Sequence, residues 1–181
     1  AREKDIVSSC STDLMALAIF ESPGKFGFNM AFGSAQRFGV PMYYGGPHAA
    51  FLATDTKFMR LMPGRVVGIT KDRIGDPCYR LALQSREQHI RKERATSNIC
   101  TSQALLANIS TLYAMYHGET GIMNIAKRIH KTTCILKESL ETLNYTIQNT
   151  SFFDTITIHS VKAKDIYDSL KKQGYIAFWD Y

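Results

Sequence analysis

Residues 33–51 read GSAQRFGVPMYYGGPHAAF and gather side chains that could do chemistry. Arg37 carries a charge that no accessible pH removes, so it can fix an anion or join a structural ion pair. Tyr43, Tyr44 and His48 combine apolar bodies with polar tips, which suits an interface or the wall of a site. Gly45-Gly46-Pro47 permits a tight turn and close approach of backbone to a neighbour. Two readings stand together, a rigid turn that fills a subunit contact and a loop that touches a ligand. A second stretch, Ala95-Thr96-Ser97-Asn98, places hydroxyls, an amide and backbone N–H groups just ahead of a helix predicted to begin near Thr101. That arrangement binds phosphate; equally, Ser97 or Asn98 can simply cap the helix.

The familiar catalytic signatures are missing. There is no Gly-x-Gly-x-x-Gly, no Gly-x-x-x-x-Gly-Lys-Ser/Thr, no Gly-x-Ser-x-Gly and no His-Glu-x-x-His. Pro23-Gly24-Lys25-Phe26-Gly27 lacks the glycine spacing and the hydroxyl of a phosphate loop and is expected to be a turn. The five histidines (His48, His89, His117, His130, His159) share no ligand spacing, which predicts surface or satisfied core positions and no metal site. Cys10, Cys78, Cys100 and Cys134 lie far apart in the chain. They are expected to be reduced structural thiols of a cytosolic or organelle-matrix protein.

The elements that must hold these residues follow from composition and periodicity. With 181 residues, 45% of them hydrophobic and 21% charged, the chain can build a folded core, which argues against disorder. Its longest apolar run, Leu14 to Phe20, falls far short of the roughly 18–20 residues of a membrane span, so no membrane partner is expected. No leader pattern follows Ala1, and both ends read as cut, as in an internal fragment. Net charge is +6. The densest basic run, Arg86 to Arg94, is broken by Glu87 and Glu93 and carries no aromatics for base stacking, so it reads as a solvated or subunit-facing helix rather than a nucleic-acid surface.

Short apolar runs between Gly and Pro turns predict strands at Ile6–Val7, Met30–Phe32, Ala49–Ala53, Val66–Thr70 and Tyr79–Leu83. A helix over Thr12–Phe20, capped by Thr12 or Asp13, is expected between the first two, as in a crossover unit. After Asn98 the period becomes helical: one helix runs to a C-cap at Gly118 and a long amphipathic one starts at Gly121. A strand at Phe152–His159 and a helix at Val161–Lys172 stopped by Gly174 complete the pattern. The expected domains are 1–143, the α/β part with its linking helices, and 144–181, the start of a smaller α+β unit.

Several long stretches together resemble the glycine decarboxylase family, the P-proteins of the glycine cleavage system: STDLMAL, GSAQRFGVPMYYGGPHAAF, MPGRVVGIT, YRLALQSREQHIRKERATSNICTSQALLAN and YHG. The resemblance runs from about Ser11 through Asp154, and more weakly to the end. It implies part of a fold-type-I pyridoxal-phosphate enzyme built of two related halves, fused or separate, in a dimeric assembly. The half resembled here is the N-terminal one. Where the other half carries histidine and the cofactor-holding lysine, this chain has Gln36-Arg37, and a guanidinium cannot serve as that amine. The resemblance therefore implies no catalytic residue here and no covalently held cofactor. Thr96, Ser97 and Asn98 would reach across the interface to the partner half's cofactor phosphate, with Arg37, Tyr43, Tyr44 and His48 lining the site or the contact. Tyr43 stands where the family usually has glycine. Glycine, the lysine-bearing half and the lipoyl H-protein are the implied partners. The implied location is the mitochondrial matrix in a eukaryote and the cytoplasm otherwise. A silent subunit that only organises a partner chain is the alternative.

Overall fold

Backbone pairing begins where short β-prone runs lie between turns. The computed structural model of the chain describes residues 4, 6–62, 66–83, 88–95 and 103–177. Contacts group the chain into two compact units, Ala1–Gly118 and Glu119–Tyr181.

In the first unit, β1 (Ser9–Ser11) pairs in parallel with β2 (Met30–Ser34), which pairs antiparallel with β3 (Ala50–Thr54). The parallel pair leaves two turns side by side at its carboxyl ends, one starting at Thr12 and the other at Ala35. The Thr12 N–H donates to the Phe32 carbonyl at 2.9 Å and the Ala35 N–H to the Ala49 carbonyl at 2.8 Å. The second bond cinches the base of the 36–48 loop. The expected strand at Ile6–Val7 forms two residues later, and both residues are exposed.

The expected helix over Thr12–Phe20 does not form; a 3₁₀ turn, Ala16–Ala18, stands in its place. Pro23 opens the next helix, α1 (Pro23–Phe26), and the preceding Ser22 is extended at φ −69°, ψ 146°. The residue before proline disfavours the helical region, which limits any helix here to about two turns, and isolated helices that short are marginal. Asp13 Oδ1 accepts the Met15 N–H at 2.8 Å in the turn ahead of it, while the 3₁₀ turn itself has no side-chain cap.

A hairpin of β4 (Val66–Lys71) and β5 (Pro77–Leu83) forms a separate two-stranded sheet. Its turn is built by Asp72, whose Oδ1 accepts N–H groups from Ile74 and Asp76 at 2.9 and 3.0 Å. The short helix α2 (Gln88–Arg91) follows.

Helix α3 (Ala104–Thr142) is interrupted at Gly118, which sits at φ 60°, ψ −177°, at the expected break. Before that break, Leu106 is buried with Ala35, Val40 and Ala49, and Leu14 and Ile109 pack around them. The helix therefore anchors both ends of the 36–48 loop. Past the break, Ala126 and Thr133 are buried. The second unit adds β6 (Thr146–Ile147), antiparallel to β7 (Ile158–His159), and α4 (Ala163–Lys172), which ends near Gly174 at φ 83° as expected. The strand expected from Phe152 shrinks to β7. Phe152 and Phe153 lie instead against the His130 ring, with centroids at 5.5 and 6.3 Å.

Gly33 marks the tightest point of the sheet. A Cβ there would sit 2.0 Å from the Thr12 carbonyl oxygen and 2.9 Å from the Phe51 ring. Backbone cannot yield as a side chain can, so Gly33→Ala is expected to destabilise by about 3 kcal/mol or to prevent folding. Gly24, where a Cβ would meet nothing within 4 Å, should tolerate alanine. Urea denaturation of the two variants checks the contrast.

Candidate functional site

The carboxyl ends of adjacent parallel strands are where open α/β sheets keep a ligand crevice. Here a cleft of about 260 Å³ lies at the ends of β1 and β2, lined by Thr12, Asp13, Ser34, Gln36 and Arg37. Arg37 Nε stands 3.0 Å from Asp13 Oδ2, with both side chains partly exposed. Ser34 Oγ accepts the Gln36 N–H at 3.1 Å, which shapes the turn that carries Arg37. Of the two roles left open for Arg37, the geometry realises the ion pair. Asp13, read from sequence only as a cap, is its partner. No local pattern signals that pairing, because the residues follow different strands.

Beyond Arg37 the loop turns on its own backbone. The Gly45 N–H donates to the Met42 carbonyl at 2.8 Å, and Gly45 and Gly46 sit at φ 109° and 151°. These conformations require glycine, as the sequence led one to expect. His48 Nε2 lies 3.0 Å from the Gly45 carbonyl oxygen, so the ring is held by the loop itself. Tyr44 is fully exposed and Tyr43 is 43% exposed, both at the tip. Tyr43 and Tyr44 adopt φ 42° and 60°. His48 and the two tyrosines thus share one turn, while Arg37 belongs to the cleft below the loop's anchored base.

Thr96, Ser97 and Asn98 lie outside the described residues, as do Cys100 and the His89 side chain. Among the other histidines, His130 is a satisfied partly buried residue, its Nδ1 2.8 Å from the Phe153 carbonyl oxygen. His117 packs on Tyr113 and Tyr116. Among the described residues no His, Cys, Asp or Glu cluster could hold a metal, and no helix is long and apolar enough to cross a membrane.

Pyridoxal phosphate, which the family resemblance implies, does not fit this cleft. Among the five residues that line it there is no lysine amine, Arg37 Nε is ion-paired with Asp13, and a Cβ at Gly33 would meet the Thr12 carbonyl.

The backbone superposes on a crystal structure of glycine decarboxylase (P-protein) of the glycine cleavage system, in inhibitor-bound form, with a TM-score of 0.83 at 31% identity. That match covers 97% of this chain and 41% of the solved one. The fold is accordingly α/β and corresponds to part of a fold-type-I enzyme. A family model described as glycine cleavage system P-protein matches residues 1–180. The chain belongs to the glycine cleavage system P-protein family.

A putative mitochondrial glycine dehydrogenase (decarboxylating) of Schizosaccharomyces pombe is 53% identical over 176 residues, covering 97% of this chain and 17% of that protein. The human mitochondrial glycine dehydrogenase (decarboxylating) is 54% identical over 158 residues, 87% of this chain and 16% of that protein. The Gluconobacter oxydans glycine dehydrogenase (decarboxylating) is 55% identical over 158 residues, covering 87% and 17% respectively. The chain thus spans less than a fifth of the length of these curated relatives.

Tyr43 provides a local test. A left-handed conformation costs a side-chain-bearing residue roughly 1–2 kcal/mol, and glycine gives back about 0.5–1 kcal/mol through its unfolded-state freedom. Tyr43→Gly is therefore expected to stabilise by about 0.5–1 kcal/mol, read as a raised thermal midpoint. A lowered midpoint would mean that the ring contributes more than its backbone costs.

Proposed function

We propose that this chain is part of the non-lysine half of a glycine decarboxylase, which removes carbon dioxide from glycine on pyridoxal phosphate and passes the aminomethyl group to the lipoyl arm of the H-protein. The observation that carries this is the position of Arg37. In a chain that matches P-proteins over nearly its whole length, the turn after β2 presents an ion-paired guanidinium in place of an amine. The cofactor supplies an electron-withdrawing ring for decarboxylation and belongs to the lysine-bearing half, in the same polypeptide or in a second subunit.

In this reading the 36–48 loop faces that half. Its turn displays Tyr43 and Tyr44 and holds His48 against Gly45, which supports a wall or contact role. Thr96, Ser97 and Asn98 contact the partner half's cofactor phosphate. Residues 1–143 belong to the large domain with its linking helices, and 144–181 begin the small domain. The assembly is dimeric. It works in the mitochondrial matrix if the source is a eukaryote and in the cytoplasm otherwise, with no nucleic-acid or membrane partner. The net charge of +6 suits an acidic carrier. A silent organising subunit is the weaker reading, because the similarity to decarboxylases extends through the cleft and the loop.

Two outcomes test the proposal. Glycine-dependent exchange of carbon dioxide is expected when the chain is produced with its lysine-bearing half, and none when it is produced alone. Borohydride treatment with pyridoxal phosphate should leave no stoichiometric adduct on any lysine of residues 1–181. Activity of the chain by itself, or one such adduct, would overturn the assignment.

The phosphate contact is tested in the assembled enzyme with Thr96→Ala/Ser97→Ala. Charge-assisted hydrogen bonds are worth roughly 1.5–3 kcal/mol each, so cofactor affinity should fall at least about tenfold. Loss of a helix cap alone would lower fold stability by about 1 kcal/mol and leave the titration unchanged. Cofactor titration paired with melts of the cofactor-free proteins separates the two.

A further inference from the structure

We infer that Cys134 is a nucleophilic thiol served by His130 as its base, and that it takes up electrophiles of the α,β-unsaturated carbonyl class. The two side chains lie one turn apart on α3, and Cys134 Sγ stands 3.7 Å from His130 Nε2. On the other side of the ring, Nδ1 is 2.8 Å from the Phe153 carbonyl oxygen. A carbonyl only accepts, so Nδ1 carries the hydrogen there, and the neutral ring turns the lone pair of Nε2 to the thiol. That follows from the carbonyl alone and holds whatever else the ring touches. A nucleophile, a base and a third group that orients the base form the arrangement that activates a weak nucleophile.

The Phe152 and Phe153 rings, with centroids 5.5 and 6.3 Å from that of His130, hold the imidazole in place. Cys134 is only partly buried, as a thiol that meets a reagent must be. Cys10 and Cys78 are partly buried too, but their surroundings differ. Cys10 Sγ donates to the Ser11 carbonyl at 3.5 Å, an oxygen too weakly basic to take its proton. Cys78 pairs with Thr70 across β4 and β5, and among the described residues no base stands against its sulfur. Exposure therefore does not single out Cys134; its histidine does.

In the reaction the sulfur bonds to the β-carbon of the electrophile as the carbon–carbon π bond breaks. The thiol proton passes to His130 Nε2 and from there to the α-carbon. Nothing leaves, and neither an oxidant nor a reductant is needed. The step draws on none of the groups of the cleft or the 36–48 loop, so the inference stands apart from the functional reading.

The test treats the chain, assembled with its lysine-bearing half, with limiting N-ethylmaleimide at neutral pH and follows each cysteine peptide by mass spectrometry. Cys134 is expected to react at least about tenfold faster than Cys10 and Cys78, a modest share of the roughly 10²–10⁴-fold that a positioned base contributes. His130→Phe keeps a ring against Phe152 and Phe153 without a base, and His130→Gln keeps a polar side chain without one. Each should slow Cys134 at least about tenfold and leave Cys10 and Cys78 unchanged. Loosened packing alone would speed labelling, so a slowed thiol reports the base. Cys134 reacting no faster than Cys10 and Cys78, or as fast in a folded variant as in the unmodified protein, overturns the inference. If both variants fail to fold, the order of the three thiols in the unmodified protein decides.

Discussion

Burial of Leu106 against Ala35, Val40 and Ala49 joins three pieces of chain that would otherwise have no common reference: the turn after β2, the far end of the 36–48 loop and the first turns of α3. Leu106 is only 3% exposed, and its neighbours are small enough to let the helix sit close to the strand ends. The Ala35–Ala49 backbone bond closes the loop at the same place. With the base pinned twice, residues 36–48 are free to serve the cleft on one side and an exposed, internally bonded tip on the other, as loops on rigid supports commonly do.

Much of this was legible in sequence where the signal is local. The runs at Val66–Thr70 and Tyr79–Leu83 read as strands and pair as β4 and β5, and Gly118 and Gly174 marked helix ends through the conformation that only glycine adopts cheaply. The 36–48 loop stood out because its composition fits neither strand nor helix. The α/β class was read from strand-like runs with an intervening helix and, for fold type I, from the family resemblance.

What stayed hidden depends on neighbours distant in sequence or on competition between adjacent signals. The apolar run from Leu14 to Phe20 reads as helix, but it is short, and the structure holds only a 3₁₀ turn there before Pro23 opens the next helix. Phe152 and Phe153 look like strand residues, yet the His130 ring and its bond to the Phe153 carbonyl draw them into packing instead. Arg37 was legible as a departure from lysine. Its partner Asp13 was not, since parallel pairing of β1 with β2 is what brings their trailing turns together.

Gly39 shows how the same packing limits the routes open to evolution. Its φ of 78° favours glycine on backbone grounds, and a Cβ there would also come within 2.9 Å of the Tyr113 ring. Trimming Tyr113 would make room but leave the dihedral strained; relaxing the dihedral would leave the clash with the ring to be resolved separately. A substitution there meets two separate costs, one steric and one conformational. Gly45, with φ 109° and open space around it, answers to backbone alone. Two glycines of one loop thus differ in how they can drift: Gly45 with a local change of turn, Gly39 only when loop and helix are rebuilt together.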